Sequence, residues 1–443
     1  MMKFLFLTTY NVTLEREHFF TIDVWNGLCE HFKQSSDEIA LATIVVGPQY
    51  EDSSITEEVR NGKKYYILHY SSLISDEERV EKIVRFFKYI EPDVIHSNMI
   101  EVIDVAAAKQ CNIPIVLTIH IGGFICPRSG GNGFLKYDDS ICNVKVGKHC
   151  LRCCAQDLPL PLLTRCLYDS TSTRIREWLY HKLKKRQVFY LTEFLIKSHE
   201  ILQRQNAIEA YKYATIIAAN QRLKDILALN GLTDNVVLLP HGVKFRPRLP
   251  FPEVKDKVKF YYCGRIQYSK GLHNLLKAFE GIDNSLYELH VIGCAEKSRR
   301  TIRYDNSVRK LAENKQVFFH GVLPNTEIES VIKDMHIMVH SAIFLEVYGI
   351  SISESLSIGR PVLATRCGGA EMQIQDGVNG WLVEPNDVKA LHSRIKDVIQ
   401  HKDKITELAN NCVLPHSIYK YVENLYDIYH RIVEDEHKCR PIC

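Results

Sequence analysis

Short, almost wholly apolar runs recur along the chain and alternate with stretches whose apolar positions have helical spacing. KFLFLTT (Lys3 to Thr9), IALATIVV (Ile39 to Val46), Lys64 to His69, DVIH (Asp93 to His96), IVLTIH (Ile115 to His120) and TIIAA (Thr215 to Ala219) predict buried strands. Thr21 to Phe32 and Glu77 to Ile90 predict helices, the second ending before Pro92. Val236 to Leu239, followed by Pro240-His241-Gly242, closes this half. The second half repeats the pattern, with VKFYYCG, ELHVIG, VFFHG, IMVHS and PVLAT as strands. Between the last two, ISISESLSIG predicts a short helix that closes on Gly359, after which Pro361 forbids its continuation. Near the end, Ile418 to Val433 predicts a tyrosine-rich helix. Strands that are apolar throughout and alternate with helices imply parallel sheets covered on both faces.

Length changes the picture from one sheet to two: 443 residues exceed a single core, so two domains are expected. Apolar residues make up 46% and charged residues 25%, an ordinary globular balance. A formal net charge of +3 is too small for a pervasive basic field, which argues against nucleic acid as a partner. The opening MMKFLFLTTY reads as a first strand rather than a signal peptide, because polar residues follow with no small-residue cleavage site. No run of about 18 apolar residues is long enough to span a membrane. The 14 cysteines then read as reduced thiols in a cytoplasmic protein.

Chemistry concentrates in three segments. FYYCGRIQYSKGLHNLLKAF (Phe260 to Phe279) sets Arg265 and Lys270 between a strand and a helix. SAIFLEVYGISISESLSIGRPVLAT (Ser341 to Thr365) carries Glu346 and Glu354 with seven residues between them, and a helix N-terminus at Gly349 and Ile350. RCGGAEMQIQDGVNGWLVEPND (Arg366 to Asp387) carries Gly368, Gly369 and Glu371. In this order they resemble the Gly-Arg-(x4)-Lys-Gly, paired-glutamate and "GG-x-E, D-G-x-N-G" signatures of glycosyltransferase family 4. The resemblance is strong in the C-terminal half and looser in the N-terminal half. It implies the GT-B architecture: α/β, two Rossmann-like doubly wound domains facing an interdomain cleft. The expected division is an acceptor-side domain over 1–243, with a Cys-rich insertion at about 122–205, and a donor-side domain over 244–416. The final helix, within 417–443, is expected to cross back onto the first domain.

The chemistry this implies is sugar transfer from a UDP- or GDP-sugar to a glycan or lipid-linked glycan acceptor, with retention at the anomeric carbon, in bacterial-type surface polysaccharide synthesis. Negative charge grows on the leaving diphosphate and must meet something positive. The chain holds no Asp-x-Asp metal motif, so no catalytic metal is expected and fixed cations must serve. By resemblance, Arg265 and Lys270 bind the diphosphate with the amides at Gly349 and Ile350, Glu354 holds the ribose, and Glu346 faces the transferred sugar. His120, ending IVLTIH, stands where the family often has a histidine that touches the donor sugar. Gly368 and Gly369 read as bare backbone that approaches the sugar. Each residue has a plainer reading: solvated loop cations, ordinary glutamates, a structural strand-end histidine, a simple connecting loop.

Departures from the family matter too. Thr9 to Phe19 (TYNVTLEREHF) has no glycine where many relatives have a glycine-rich loop. His241-Gly242-Val243-Lys244 replaces the usual Asn-Gly-Val-Asp, with Gly242 expected at a turn needing positive φ. A catalytically silent scaffold of the same shape, and a nucleotide-sugar epimerase, stay open as rivals. Between them in the chain, Cys126, Cys142, Cys150 and Cys153 have spacing that fits a closed structural zinc site, against free thiols packing an insertion. Arg174 to Arg186 (RIREWLYHKLKKR) sets six Lys/Arg against one Glu among aromatic residues. It reads either as a solvated helix face or as peripheral contact with an anionic membrane at the inner face.

Overall fold

The computed structural model describes residues 1–8, 20–50, 53–98, 101–120, 124–128, 133–154, 172–183, 189–296 and 299–439. Residues 9–19 and the basic residues 184–186 lie outside them. Two sheets organise the chain. The first has eight strands: β1 (Lys3–Thr8), β2 (Glu38–Gly47), β3 (Ser54–Arg60), β4 (Lys63–Ser71), β5 (Val94–Ser97), β6 (Ile115–Thr118), β7 (Thr215–Ala218) and β8 (Val236–Leu238). Their order is β3-β4-β2-β1-β5-β6-β7-β8, parallel throughout except that β3 runs antiparallel to β4 at the edge. The second has six parallel strands in the order β11-β10-β9-β12-β13-β14: β9 (Val258–Cys263), β10 (Tyr287–Ile292), β11 (Val317–Gly321), β12 (Ile337–His340), β13 (Val362–Thr365) and β14 (Gly380–Val383).

The central strands are buried on both faces, as their unbroken apolar sequence requires. In the first sheet one face packs against helices Asp76–Ile90, Val102–Cys111 and Phe189–Tyr211. The other packs against Phe20–His31 and the last helix, Ile418–Cys439, whose Tyr421, Val422, Leu425 and Tyr429 lie among Phe4, Phe6, Trp25 and Leu28. That helix therefore completes the core of the first sheet although it follows the second in sequence. The second sheet is covered by Leu272–Ala278, Arg299–Ala312 and Val388–Gln400 on one face and by Ile350–Ser357 on the other.

Strand order reverses between β1 and β5 in the first sheet and between β9 and β12 in the second. In open α/β sheets, ligands bind outside the carboxyl ends of the strands at such switch points. Arg265 and Lys270 follow β9, and Ser341 to Glu346 follow β12.

Chain passes between the two units twice, and the crossings are tied together. Val243 bridges Ser417, and Ile418 N–H donates to Val243 O at 3.0 Å. Gly242 does not take the positive φ expected of it. Its missing side chain matters for a different reason: a Cβ there would stand 2.6 Å from Ser417 O and 2.5 Å from Tyr421 Cβ.

Candidate functional site

Lys270 ends the short 3-10 turn Tyr268–Lys270, and Gly271 (φ 70°) turns the chain from it into the helix Leu272–Ala278. This brings the Lys270 ammonium onto Glu346 Oε2, with both side chains mostly buried. His340, at the end of β12, places Nε2 3.7 Å from the same carboxylate oxygen. Behind the ring, Cys367 Sγ lies 3.9 Å from His340 Nδ1. Burial by itself would raise the Glu346 carboxyl, but Lys270 and His340 hold it well below the usual range. Burial would likewise lower His340, yet Cys367 and Glu346 push it up to about 9. The carboxyl of Glu346 is thus drawn down and the imidazole of His340 drawn up by their contact with one another.

Gly349 takes φ 80° and starts the helix Ile350–Ser357, so the first amides of that helix lie next to the Glu346 loop. Ile350 itself is half-buried against the first core. Glu354 is engaged by Arg246 of the interdomain segment, Nη2 to Oε1 at 2.8 Å. Arg265 is half-exposed and pairs with Glu296 at 2.8 Å; a surface pair of this kind holds its partner weakly, leaving the guanidinium free to turn to another anion. Gly368 and Gly369 touch the glutamate loop directly. Gly369 N–H donates to Glu346 O at 3.0 Å, and a Cβ at Gly369 would sit 2.1 Å from Tyr348 O. Their bareness therefore serves packing of backbone on backbone around Glu346. The Asp-Gly-x-Asn-Gly segment does structural work as well: Asp376 Oδ1 accepts from Leu382 N–H at 3.0 Å and Asn379 Oδ1 from Gln375 N–H at 2.9 Å, shaping the turn into β14.

On the first unit, His120 follows β6 and bonds Asn98 Oδ1 through Nε2 at 2.8 Å. Its ring meets the edge of Phe20 and lies 5.3 Å from His241. Burial pushes His120 down to about 4 and His241 well below the ordinary range, so both are neutral. His241 stacks on Phe20 at 4.2 Å and meets Tyr348 edge-on at 5.6 Å, which links this group to the glutamate loop. Among the described residues, neither Asn98 Nδ2 nor His241 Nδ1 has a hydrogen-bond partner.

Further contacts hold the units together at this place. Asn220 Nδ2 donates to Glu346 O at 3.2 Å and Val347 O at 2.6 Å. Arg222 pairs with Glu371 at 2.9 Å, whose other oxygen accepts from Gly368 N–H. His340, Arg246, Asn98, Asn220 and Arg222 escaped the sequence reading. Only His340 carried a signal, a histidine closing a strand one residue before the Ser341 segment.

Cys126, Cys142, Cys150 and Cys153 line one cavity of about 190 Å³. They share a pocket, but among the described residues no three His, Cys, Asp or Glu side chains are grouped closely enough to hold a metal ion. Burial is the main force raising Cys142, Cys150 and Cys153, which favours neutral thiols. The same insertion reaches the other unit. Asp139, at the tip of the Leu135–Ile141 bridge, accepts from Tyr268 Oη at 2.6 Å and from Asn386 Nδ2 through its carbonyl. In the helix Thr173–Leu183, Ile175 and Trp178 are exposed, and Lys182 Nζ lies 4.3 Å from the Trp178 ring centre. No helix among the described residues is long and apolar enough to cross a membrane.

Residues 246–413 match the family model described as glycosyl transferases group 1. The chain is 26% identical over 202 residues to an uncharacterized glycosyltransferase of Methanocaldococcus jannaschii, covering 42% of this chain and 50% of that protein. It is 26% identical over 230 residues to the poly(glycerol-phosphate) alpha-glucosyltransferase of Bacillus subtilis, covering 50% of this chain and 33% of that protein. The chain thus spans half or less of the length of these curated relatives. Among solved structures, HepE of Anabaena in complex with UDP and glucose superposes with a TM-score of 0.61 at 15% identity, over 97% of this chain and 99% of that one. A sucrose-phosphate synthase from Thermosynechococcus elongatus does so at 0.64 and 16%, over 98% and 100%. The fold is therefore the GT-B architecture expected from the sequence.

Proposed function

We propose that the protein is a retaining glycosyltransferase, moving a sugar from a nucleotide-sugar donor to a glycan or lipid-linked glycan acceptor in surface polysaccharide synthesis. The observation that carries this is Glu346, set between Lys270 and His340 at the switch point of the second sheet, within the segment matched by the group 1 family model. Arg265, Lys270 and the amides at Gly349 and Ile350 would meet the charge growing on the leaving diphosphate. Glu354 would take the ribose hydroxyls by charge-assisted hydrogen bonds, with Arg246 fixing its carboxylate. Glu346 would face the transferred sugar, with His120 closing the first-unit side. UDP is the nucleotide to try first, since it is bound in the similar Anabaena protein.

A thermal-shift screen against UDP, GDP, ADP and their sugars, with EDTA present, tests the reading. A ligand at 100 times its Kd stabilises by roughly 2.7 kcal/mol. A shift from one nucleotide family, lost in Arg265→Ala and followed by turnover of that donor, supports it. No shift from any would bring the silent scaffold forward. The exposed Ile175, Trp178 and Lys182 further support contact of the helix Thr173–Leu183 with an anionic lipid surface. Liposome co-sedimentation indifferent to anionic lipid content would remove that part.

A further inference from the structure

The histidine beside Glu346 has been given no role so far, although its side chain is the most deeply buried of the three at the centre. His340 ends β12, is 6% exposed, and has the Glu346 carboxyl group on one side of its ring and the Cys367 thiol on the other. Nε2 is 3.7 Å from Glu346 Oε2 and Nδ1 is 3.9 Å from Cys367 Sγ. Among the described residues, the titratable groups in contact with the ring are Glu346 from the loop after β12 and Cys367 from the loop after β13, while Lys270 from the loop after β9 meets the same Glu346 oxygen. Backbone bonds fix the frame: Thr365 Oγ1 donates to His340 O at 3.4 Å, and Cys367 O accepts from Glu346 N–H at 2.8 Å.

Two cations on one buried carboxylate have different duties. Lys270 belongs to the loop expected to meet the diphosphate, and its flexible stem lets the ammonium turn toward phosphate when a donor arrives. Glu346 would then lose its nearest counter-charge at the moment it must stay ionised, since an unpaired buried carboxylate takes up a proton. His340 has no such freedom. It sits on a strand end, with a ring held from behind. We infer that His340 is a positioning residue for Glu346, a fixed second cation that keeps the carboxylate ionised and aimed into the cleft when Lys270 is drawn to the donor. The inference rests on the glycosyltransferase reading for the arrival of a donor, and on geometry alone for the His340–Glu346 pair.

The test compares wild type with His340→Gln, which keeps a donor group and loses the charge. In the wild type, kcat for the donor found in the screen should fall as pH rises through about 9, the value to which Glu346 and Cys367 bring the histidine. In His340→Gln, kcat should drop about ten- to a hundredfold at neutral pH, as for a reacting group displaced by an ångström. The basic limb at that pH should disappear, and donor KM should change far less than kcat. Independently of turnover, the imidazole NMR signal missing from His340→Gln should titrate near pH 9 in the wild type and be shifted in Glu346→Gln. A signal already neutral at pH 7 overturns the inference, as does a folded His340→Gln with unchanged kcat and pH profile. If His340→Gln does not fold, the wild-type titration and its response to Glu346→Gln decide. A wild type that turns over no nucleotide sugar defeats the functional reading, while the NMR titration still judges the pair.

Discussion

Gly271→Ala should cost the protein both stability and donor turnover, and the structure separates two contributions. Gly271 has φ 70°, so any side chain there is held in the left-handed region at a cost of about 1–2 kcal/mol. A Cβ would also stand 1.9 Å from the carbonyl oxygen of Ser341. Real Cβ atoms essentially never come within 3.0 Å of such an atom, so one backbone must retreat by 3.0 − 1.9 = 1.1 Å or more. Neither side yields easily: Ser341 follows β12, and Ile343 N–H donates to Ser269 O at 2.8 Å across the same gap. Overpacking of this kind adds roughly 1–3 kcal/mol. Gly62 is the control, with φ 72° and nothing within 4 Å of its would-be Cβ, so Gly62→Ala pays the left-handed strain alone. The difference between the two variants, about 1–3 kcal/mol, isolates the collision. For a cooperative unit of 150–250 residues each kcal/mol moves Tm by about 2–4 °C, well within reach of a thermal melt. Because Lys270 precedes the glycine, the same retreat should displace its ammonium and cut donor turnover about a hundredfold. Equal melting of the two alanine variants, or unchanged turnover in Gly271→Ala, would falsify the steric argument.

Lys270→Met should lower donor kcat/KM by roughly 10²–10³, while the remaining pair with His340 lets the chain fold; activity within tenfold of wild type, measured alongside the melt, counts against a role on the diphosphate. Glu354→Gln should weaken nucleotide binding by about 1.5 kcal/mol, near tenfold by calorimetry, as expected for losing a charge-assisted bond; unaltered affinity would remove Glu354 from the ribose. Asp104 gives a pH test. It is buried, accepts from Ser97 Oγ at 3.1 Å, and burial raises it from 3.8 to about 7. Between those values the unfolded chain releases the proton that the folded chain keeps, so stability falls as pH rises from about 4 to 7 and is level above. Asp104→Asn should therefore gain on wild type with rising pH, by at most about 4 kcal/mol at pH 8, and denaturant titrations at pH 4.5 and pH 8 showing no such widening would rule this out.

Most of the sheet framework could be read from sequence because parallel strands are apolar on both faces and stand out as unbroken runs. β3 did not. SITEEVR is a charged, exposed edge strand, and its evidence lay instead in Asn61-Gly62, both at positive φ, a strong hairpin signal that the apolar pattern ignores. The buried helix Val102–Cys111 was missed for the opposite reason: apolar residues surround it and leave no polar stripe. In the site, Arg265, Lys270, Glu346 and Glu354 were visible as charges at marked spacings around turn glycines. Their partners were not, because Arg246 is 108 residues from Glu354 and Asn220 is 126 from Glu346. Nothing local distinguishes such residues from solvated ones. The cysteine spacing marked four residues that line one cavity, but spacing along the chain does not fix how close side chains come.

The last helix completes the first core, and the crossings at Val243 and Ser417 lie side by side. The second sheet is therefore a contiguous segment inserted into the first unit, with both junctions at one point. Removing the C-terminal residues would strip Tyr421, Leu425 and Tyr429 from the opening strand β1, so cutting the gene after residue 243 yields no autonomous first half. A segment whose ends already touch can instead be lifted out whole. One exchange with two neighbouring joints would carry Arg246, Arg265, Lys270, His340, Glu346 and Glu354 together, making the second unit a transplantable module while the first keeps its own core intact.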